Sequence, residues 1–171
     1  MPAPEDRDRC ARDESLAATP APFRSFHYFS ATDDGLHVRT EVVDAIYAMR
    51  RLTDLERAMR IAEVNTTLRA AARGELRGSE QLDPVRTQPT LWELRWKWRH
   101  GVECRMYHAE PAGGRPDMVA LLFHRKHADG DSAEIKDHQD AEMQLAADRY
   151  AEGEARRWGH RTRGCADCLW P

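Results

Sequence analysis

Between Leu91 and Trp98 the chain reads LWELRWKW, and no other stretch restricts the fold as much. Side chains on an extended strand alternate between its faces, so Trp92, Leu94, Trp96 and Trp98 fall on one side and Glu93, Arg95, Lys97 and Arg99 on the other. Such a strand needs an apolar cover on its tryptophan side and leaves a charged row opposite. Two further segments extend it into a sheet. Glu103 to Tyr107 repeats the division less cleanly after a turn expected at His100-Gly101, and Met118 to Phe123 is an almost unbroken apolar run, the pattern of a strand covered on both faces. Consecutive strands with short connections predict an antiparallel meander whose polar side collects arginines.

The flanking sequence supplies the cover. Residues 1–22 are rich in Pro, Ala, Asp, Glu and Arg without hydrophobic periodicity, which predicts a disordered tail. FRSFHYFS, Phe23 to Ser30, predicts a first strand ended by Asp33-Asp34-Gly35. From Leu36 to Leu52 the spacing of Val42, Ile46 and Met49 predicts an amphipathic helix. Thr53-Asp54-Leu55-Glu56 has the form of a capping box, starting a second helix with Leu55, Met59, Ala62 and Leu68 as its apolar stripe and Gly74 as its stop. These helices are expected to form a hairpin over the tryptophan side of the sheet. Residues 75–90, with two prolines and polar clusters, read as a loop. A last helix follows, with Asp131 or Ser132 as N-cap and Ile135, Gln139, Met143, Ala146 and Tyr150 as its inner stripe.

The expectation is therefore an α+β fold: a small antiparallel sheet in the order strand-helix-helix-strand-strand-strand-helix. One domain over 23–153 lies between the tail 1–22 and a basic C-terminal tail, 154–171, that carries a CxxC. A chain of 171 residues with 41% apolar residues supports one modest core. It has no apolar run of membrane-spanning length and no basic start followed by an apolar stretch, so neither a membrane segment nor a signal peptide is expected, and the compartment expected is the cytoplasm. Four cysteines, at 10, 104, 165 and 168, do not have the density of a secreted disulfide framework. The net charge of −3 hides a division: seven Lys/Arg against four Asp/Glu from Leu91 to His127, then two against nine from Asp129 to Glu154. A basic face can attract phosphates, and the acidic helix can stand away from it or screen it.

In succession, Glu93-Leu94-Arg95, Arg105-Met106-Tyr107, the apolar strand ending Phe123-His124-Arg125-Lys126, Glu134-Ile135 and Arg149-Tyr150 make the chain resemble the RelE/ParE toxin superfamily, most of all its HigB-type, phage-derived branch. The resemblance covers about Phe23 to Glu152. Arg125-Lys126 stands where that branch carries paired lysines, and Gly130 to Ala133 replaces its usual Thr-Pro.

The resemblance implies the toxin of a type II toxin-antitoxin system, a ribosome-dependent endoribonuclease acting on mRNA and restrained by a helix-turn-helix antitoxin. Two alternatives stand beside it: a catalytically inactive binding module of the same fold, and a ParE-like inhibitor of gyrase. RNA cleavage by internal attack requires deprotonation of a 2′-OH, stabilisation of charge developing on the phosphate and protonation of the leaving oxygen. The candidate catalytic residues are Arg95 and Arg105 for the phosphate, Lys126 or His124 as proton carrier, and Tyr107 as stacking platform or proton donor. Lys97, Arg99, Arg125 and His127 are the further RNA-binding candidates. A plainer reading gives the arginine row to cross-strand ion pairs on a solvated face. Cys165, Cys168 and His160 offer three metal ligands where a structural zinc site wants four, so no metal is expected; without a Gly-rich phosphate loop, no cofactor is expected either.

Overall fold

The computed structural model describes residues 12–31, 35–113 and 115–171. Its strands are β1 (Phe26–Tyr28), β2 (Ser30–Ala31), β3 (Leu36–His37), β4 (Leu82–Pro84), β5 (Leu91–Trp98), β6 (Val102–Ala109) and β7 (Met118–Arg125). Its helices are α1 (Val38–Tyr47), α2 (Asp54–Ala72) and α3 (Ser132–Gly153). The expected meander is present as β5-β6-β7, within a five-stranded sheet ordered β1-β7-β6-β5-β4.

The sheet is mixed rather than antiparallel, because β1 runs parallel to β7. A parallel neighbour needs a long crossover, and everything between β1 and β7 supplies it. The expected first strand is shorter than Phe23–Ser30: after Tyr28 the chain leaves the sheet and pairs Ser30–Ala31 with Leu36–His37 in a separate ribbon. Asp33 and Asp34, expected to end the first strand, lie outside the described residues, as does Cys10. Residues 75–90 are not all loop, since β4 pairs with β5.

The alternation in β5 sorts as expected. Leu94 and Trp96 are fully buried with Met106 and Cys104 of β6. Trp96 Nε1 donates to Thr67 of α2 at 3.1 Å and Trp98 Nε1 to Glu63 at 2.8 Å, so the polar edges of both rings find partners on the covering helix. Truncating a buried ring of this size costs ~3–5 kcal/mol. The capping box at Thr53 forms, with its reciprocal contacts to Glu56 at 2.7 and 3.2 Å, and a second one forms between Asp131 and Glu134.

The stripe expected on α2 is only half right. Leu68 is buried, with Val64, Ala71 and Ala72, but Leu55 and Met59 are 71% and 62% exposed. Full burial along this helix begins only at Val64, one turn before Thr67 meets Trp96. The inner stripe of α3 faces the protein, with Ala146 buried and Ile135, Gln139, Met143 and Tyr150 half-buried.

The expected C-terminal tail, and the expected N-terminal one over its described residues 12–22, are part of the fold. From Arg12 onward the N-terminal segment packs down: Leu16–Ala18 forms a 3-10 turn with Ala17 and Ala18 buried, and Glu110 accepts from Leu16 N at 3.0 Å. Residues 1–11 lie outside the described residues. At the other end Trp158, Cys165, Cys168 and Leu169 are buried, and 167–169 pair with the free edge of β1 through Tyr28 N to Asp167 O (2.8 Å) and Leu169 N to Phe26 O (2.9 Å). Composition hid this, because a handful of apolar residues in a polar stretch can anchor a segment that periodicity does not reveal.

Past the end of β1, the edge of β7 is closed by side chains. Phe123 N donates to Glu41 of α1 at 3.2 Å, Arg149 of α3 donates to Leu121 O at 2.8 Å, and Arg149 and Glu41 pair at 2.7 Å. These side chains occupy two of the backbone groups that an added strand would use for pairing.

Candidate functional site

Register decides which candidates meet. In β5, β6 and β7 Arg95 lies directly opposite Arg105, and Arg105 opposite His124; Glu93 lies opposite Tyr107, and Lys97 opposite Glu103. Residues paired across strands project to the same face, so Arg95, Lys97, Arg105, Tyr107 and His124 share one side of the sheet. Lys126 joins them at the end of β7, its Nζ 3.6 Å from Glu103. The other candidates separate. Arg125 lies opposite Cys104, on the core row, and with Arg99 lines a different groove between α2 and the Trp98 end of the sheet. His127 stacks near His138 of α3, ring centroids 4.1 Å apart.

The arginines are not bare. Arg105 grips Glu103 through Nε and Nη2 at 2.9 and 2.8 Å and reaches Glu93 through Nη1 at 3.1 Å. Arg95 contacts Asp83 of β4 and lies 3.7 Å from Glu93, while Arg12 holds the other oxygen of Asp83 at 2.6 Å. Glu93, only 8% exposed, therefore stands between two guanidinium groups. Sequence reasoning passed over Glu93 and Glu103 as site residues, although period two puts them on the arginine row. Asp83 had no such signal, because it sits in the segment read as loop.

These environments pull the carboxylates apart. Burial pushes the Glu93 carboxyl above its ordinary range in spite of Arg105 and Arg95. Burial also acts on Glu103, but there the hydrogen bond and charge of Arg105, with Lys126, outweigh it and hold the carboxyl below its usual range. Tyr107 is pushed well up, first by burial and then by the Glu93 charge. Burial lowers His124 to about 4, so its imidazole is neutral near pH 7. Its Nδ1 lies 3.2 Å from the Arg125 carbonyl, which can only accept; Nδ1 carries the proton and Nε2 the lone pair.

Besides Arg95 Nε, two buried atoms on this face have no hydrogen-bond partner among the described residues: Tyr107 Oη and His124 Nε2. Their rings stack with centroids 5.6 Å apart at 27°. Arg95, Arg105 and Glu93 line a cleft of about 420 Å³ together with Arg86, Thr87 and Met143 among others; Tyr107, His124 and Lys126 are not in its lining. Chemically the face offers planar cations for a phosphate, a neutral imidazole acceptor and a phenol donor, all behind carboxylates that hold the cations in place.

The second polar assembly is one the sequence reading had left a ligand short. His27 of β1 joins His160, Cys165 and Cys168, and one ligand atom from each lies within 4.8 Å of every other. No signal in the sequence linked residue 27 to the C-terminal CxxC. No family model, curated protein or solved structure matches the chain, and no helix among the described residues is long and apolar enough to cross a membrane.

Proposed function

We propose that the chain is a toxin-type endoribonuclease of RelE/ParE character, acting in the cytoplasm on mRNA held by the ribosome and restrained by a helix-turn-helix antitoxin. The observation that carries this reading is the gathering of Arg95, Arg105, Tyr107, His124 and Lys126 on one sheet face, with the two unsatisfied buried atoms of Tyr107 and His124 between the arginines and α3. The element order, with the meander between a helical pair and a last helix, supports it as well.

On this reading an incoming phosphate takes the place of Glu93 and Glu103 on the guanidinium forks, which are already oriented for bidentate contact. His124 Nε2 accepts the 2′-OH proton, the 2′-oxygen attacks the phosphorus, and the 5′-oxygen leaves with a proton from Lys126 or Tyr107. The displaced Glu93 carboxylate, already raised by burial, rises further and becomes a second acceptor. Because the cations are occupied until a phosphate competes for them, placement of the strand by the ribosome controls cleavage.

Induced expression tests the reading. Growth arrest with new message ends mapped by sequencing, both abolished by Arg105→Ala and Lys126→Ala, is the expected result. Harmless overexpression with intact message overturns it. The same ion pairs favour a second reading, a non-catalytic binding module, since Arg105 has carboxylates on both sides. Under that reading the purified protein captures a partner and the same substitutions leave RNA untouched.

A further inference from the structure

We propose that His27, His160, Cys165 and Cys168 form a structural zinc(II) site that fastens the end of the chain to the outer edge of β1. This site is separate from the arginine face and does not depend on how that face is used.

The distances fit one ion. Zinc bonds of ~2.3 Å to sulfur and ~2.0–2.1 Å to nitrogen, set at tetrahedral angles, separate S and N ligands by about 3.5 Å. His27 Nδ1 lies 3.5 Å from Cys165 Sγ and 3.6 Å from Cys168 Sγ, and His160 Nδ1 lies 3.2 Å from Cys168 Sγ. The two imidazoles meet edge to face, 5.2 Å between centroids at 73°, as rings approaching one point from different directions do. Both sulfurs belong to free cysteines. Four protein ligands leave no open coordination position, which makes the site structural rather than catalytic.

The surroundings orient the ligands. His27 Nε2 is 2.8 Å from the Trp158 carbonyl, which accepts its proton and leaves the Nδ1 lone pair turned to the sulfurs. A metal-bound histidine ordinarily has such a partner on its other nitrogen. Arg157, Trp158 and Gly159 all take positive φ values, of 50, 56 and 79°, conformations that non-glycine residues rarely adopt. That sharp bend brings the Trp158 carbonyl to His27 and sends His160 into the cluster. The CxxC turn is held by Arg39 of α1, whose guanidinium donates to the carbonyls of Ala166 at 3.1 Å and Cys168 at 3.4 Å.

Charge and softness select the metal. Two thiolates and two neutral imidazoles balance one dication, so the buried cluster carries no net charge once both thiol protons have left for solvent; no electron is transferred. Thiolate with imidazole in a tetrahedral set suits zinc over magnesium or calcium, which prefer oxygen. Without an ion, His27, Cys165 and Cys168 are buried with only weak sulfur contacts joining them.

The test uses the full-length, tag-free chain purified in reductant without chelator. One zinc per chain by elemental analysis is expected. After exchange, the cobalt(II) form is expected to show tetrahedral visible absorption together with thiolate charge transfer in the near ultraviolet. His160→Ala should weaken zinc binding roughly 100-fold or more, while His160→Cys, which keeps four ligands, should retain it. His160 is the least buried of the four, so both variants are expected to fold, and chelation of the wild-type chain reads out the same site without substitution. Chelation should speed tryptic cleavage after Arg161 and Arg163, which are at the surface already. A reduced chain that binds neither zinc nor cobalt overturns the proposal, as does a Cys165–Cys168 disulfide in the freshly isolated protein or zinc binding that His160→Ala leaves unchanged.

Discussion

The arginine face and the C-terminal cluster are both polar assemblies on one small sheet, but they are put together in opposite ways. The face comes mainly from three consecutive strands, residues 93 to 126, and its charges are hard, local and already paired with one another. The cluster joins residue 27 to residues 160–168, and its donors are two sulfurs and two imidazoles with only weak contacts among themselves. The cations of the face already have carboxylate partners, which an incoming anion must displace. The four donors of the cluster converge on one point, where a single ion would meet them all.

Four outcomes sharpen or break this contrast. The largest concerns the cluster: chelation, or the double change Cys165→Ser with Cys168→Ser, should lower the melting temperature by ~10 °C or more, because a structural metal contributes directly to folding. Thermal unfolding with and without chelator measures it; a shift within a degree or two would reduce the cluster to ordinary packing. Next is Glu93→Ala. It leaves the part-buried Arg105 without one of its two counterions and should cost about 3 kcal/mol in denaturant unfolding. Less than ~0.5 kcal/mol would mean that the face is as loose as an exposed surface pair.

The third outcome is a pH dependence of opposite sign at neighbouring carboxylates. Glu103 is held below its ordinary value of 4.5, so its stabilisation is present above that pH and is lost as pH falls through the lower folded value. Glu103→Gln should therefore flatten the acid side of a stability-pH curve. Glu93 is raised, so the folded chain binds its proton more readily than the unfolded chain, and stability declines as pH climbs from 4.5 through the folded value. Glu93→Gln should remove that decline; equal slopes in the two variants would contradict the assignment. The smallest effect on stability belongs to Lys126→Ala, within ~1 kcal/mol, since Lys126 meets Glu103 only at 3.6 Å and partly in solvent. Message cleavage in cells should nonetheless vanish with it, and a variant that still cleaves would take Lys126 out of the site.

Much of this could be read along the chain. The alternation from Trp92 to Trp98 divided core from charge correctly, the capping box at Thr53 placed one helix start to the residue, and the N-cap expected at Asp131 or Ser132 falls on Asp131. Period two put Arg95 with Lys97, Arg105 with Tyr107 and His124 with Lys126 within their own strands, and the register between strands brought the three pairs to one face. Arg99 and Arg125 were misplaced with them: the first lies past the end of its strand, and the second is even in register with Cys104 and turns to the core row. Leu55 and Met59 were misread because periodicity reports a stripe without saying whether anything lies opposite it.

What the sequence determined by itself, then, is whatever depends on near neighbours: strand faces, helix starts, and the charged row on the meander. Tertiary structure alone decided the parallel pairing of β1 with β7, the packing of residues 12–22 and 154–171, and the meeting of His27 with Cys165 and Cys168. Those contacts join positions far apart in the chain. No local period encodes them, and their energy is realised only after the sheet exists to bring the partners together.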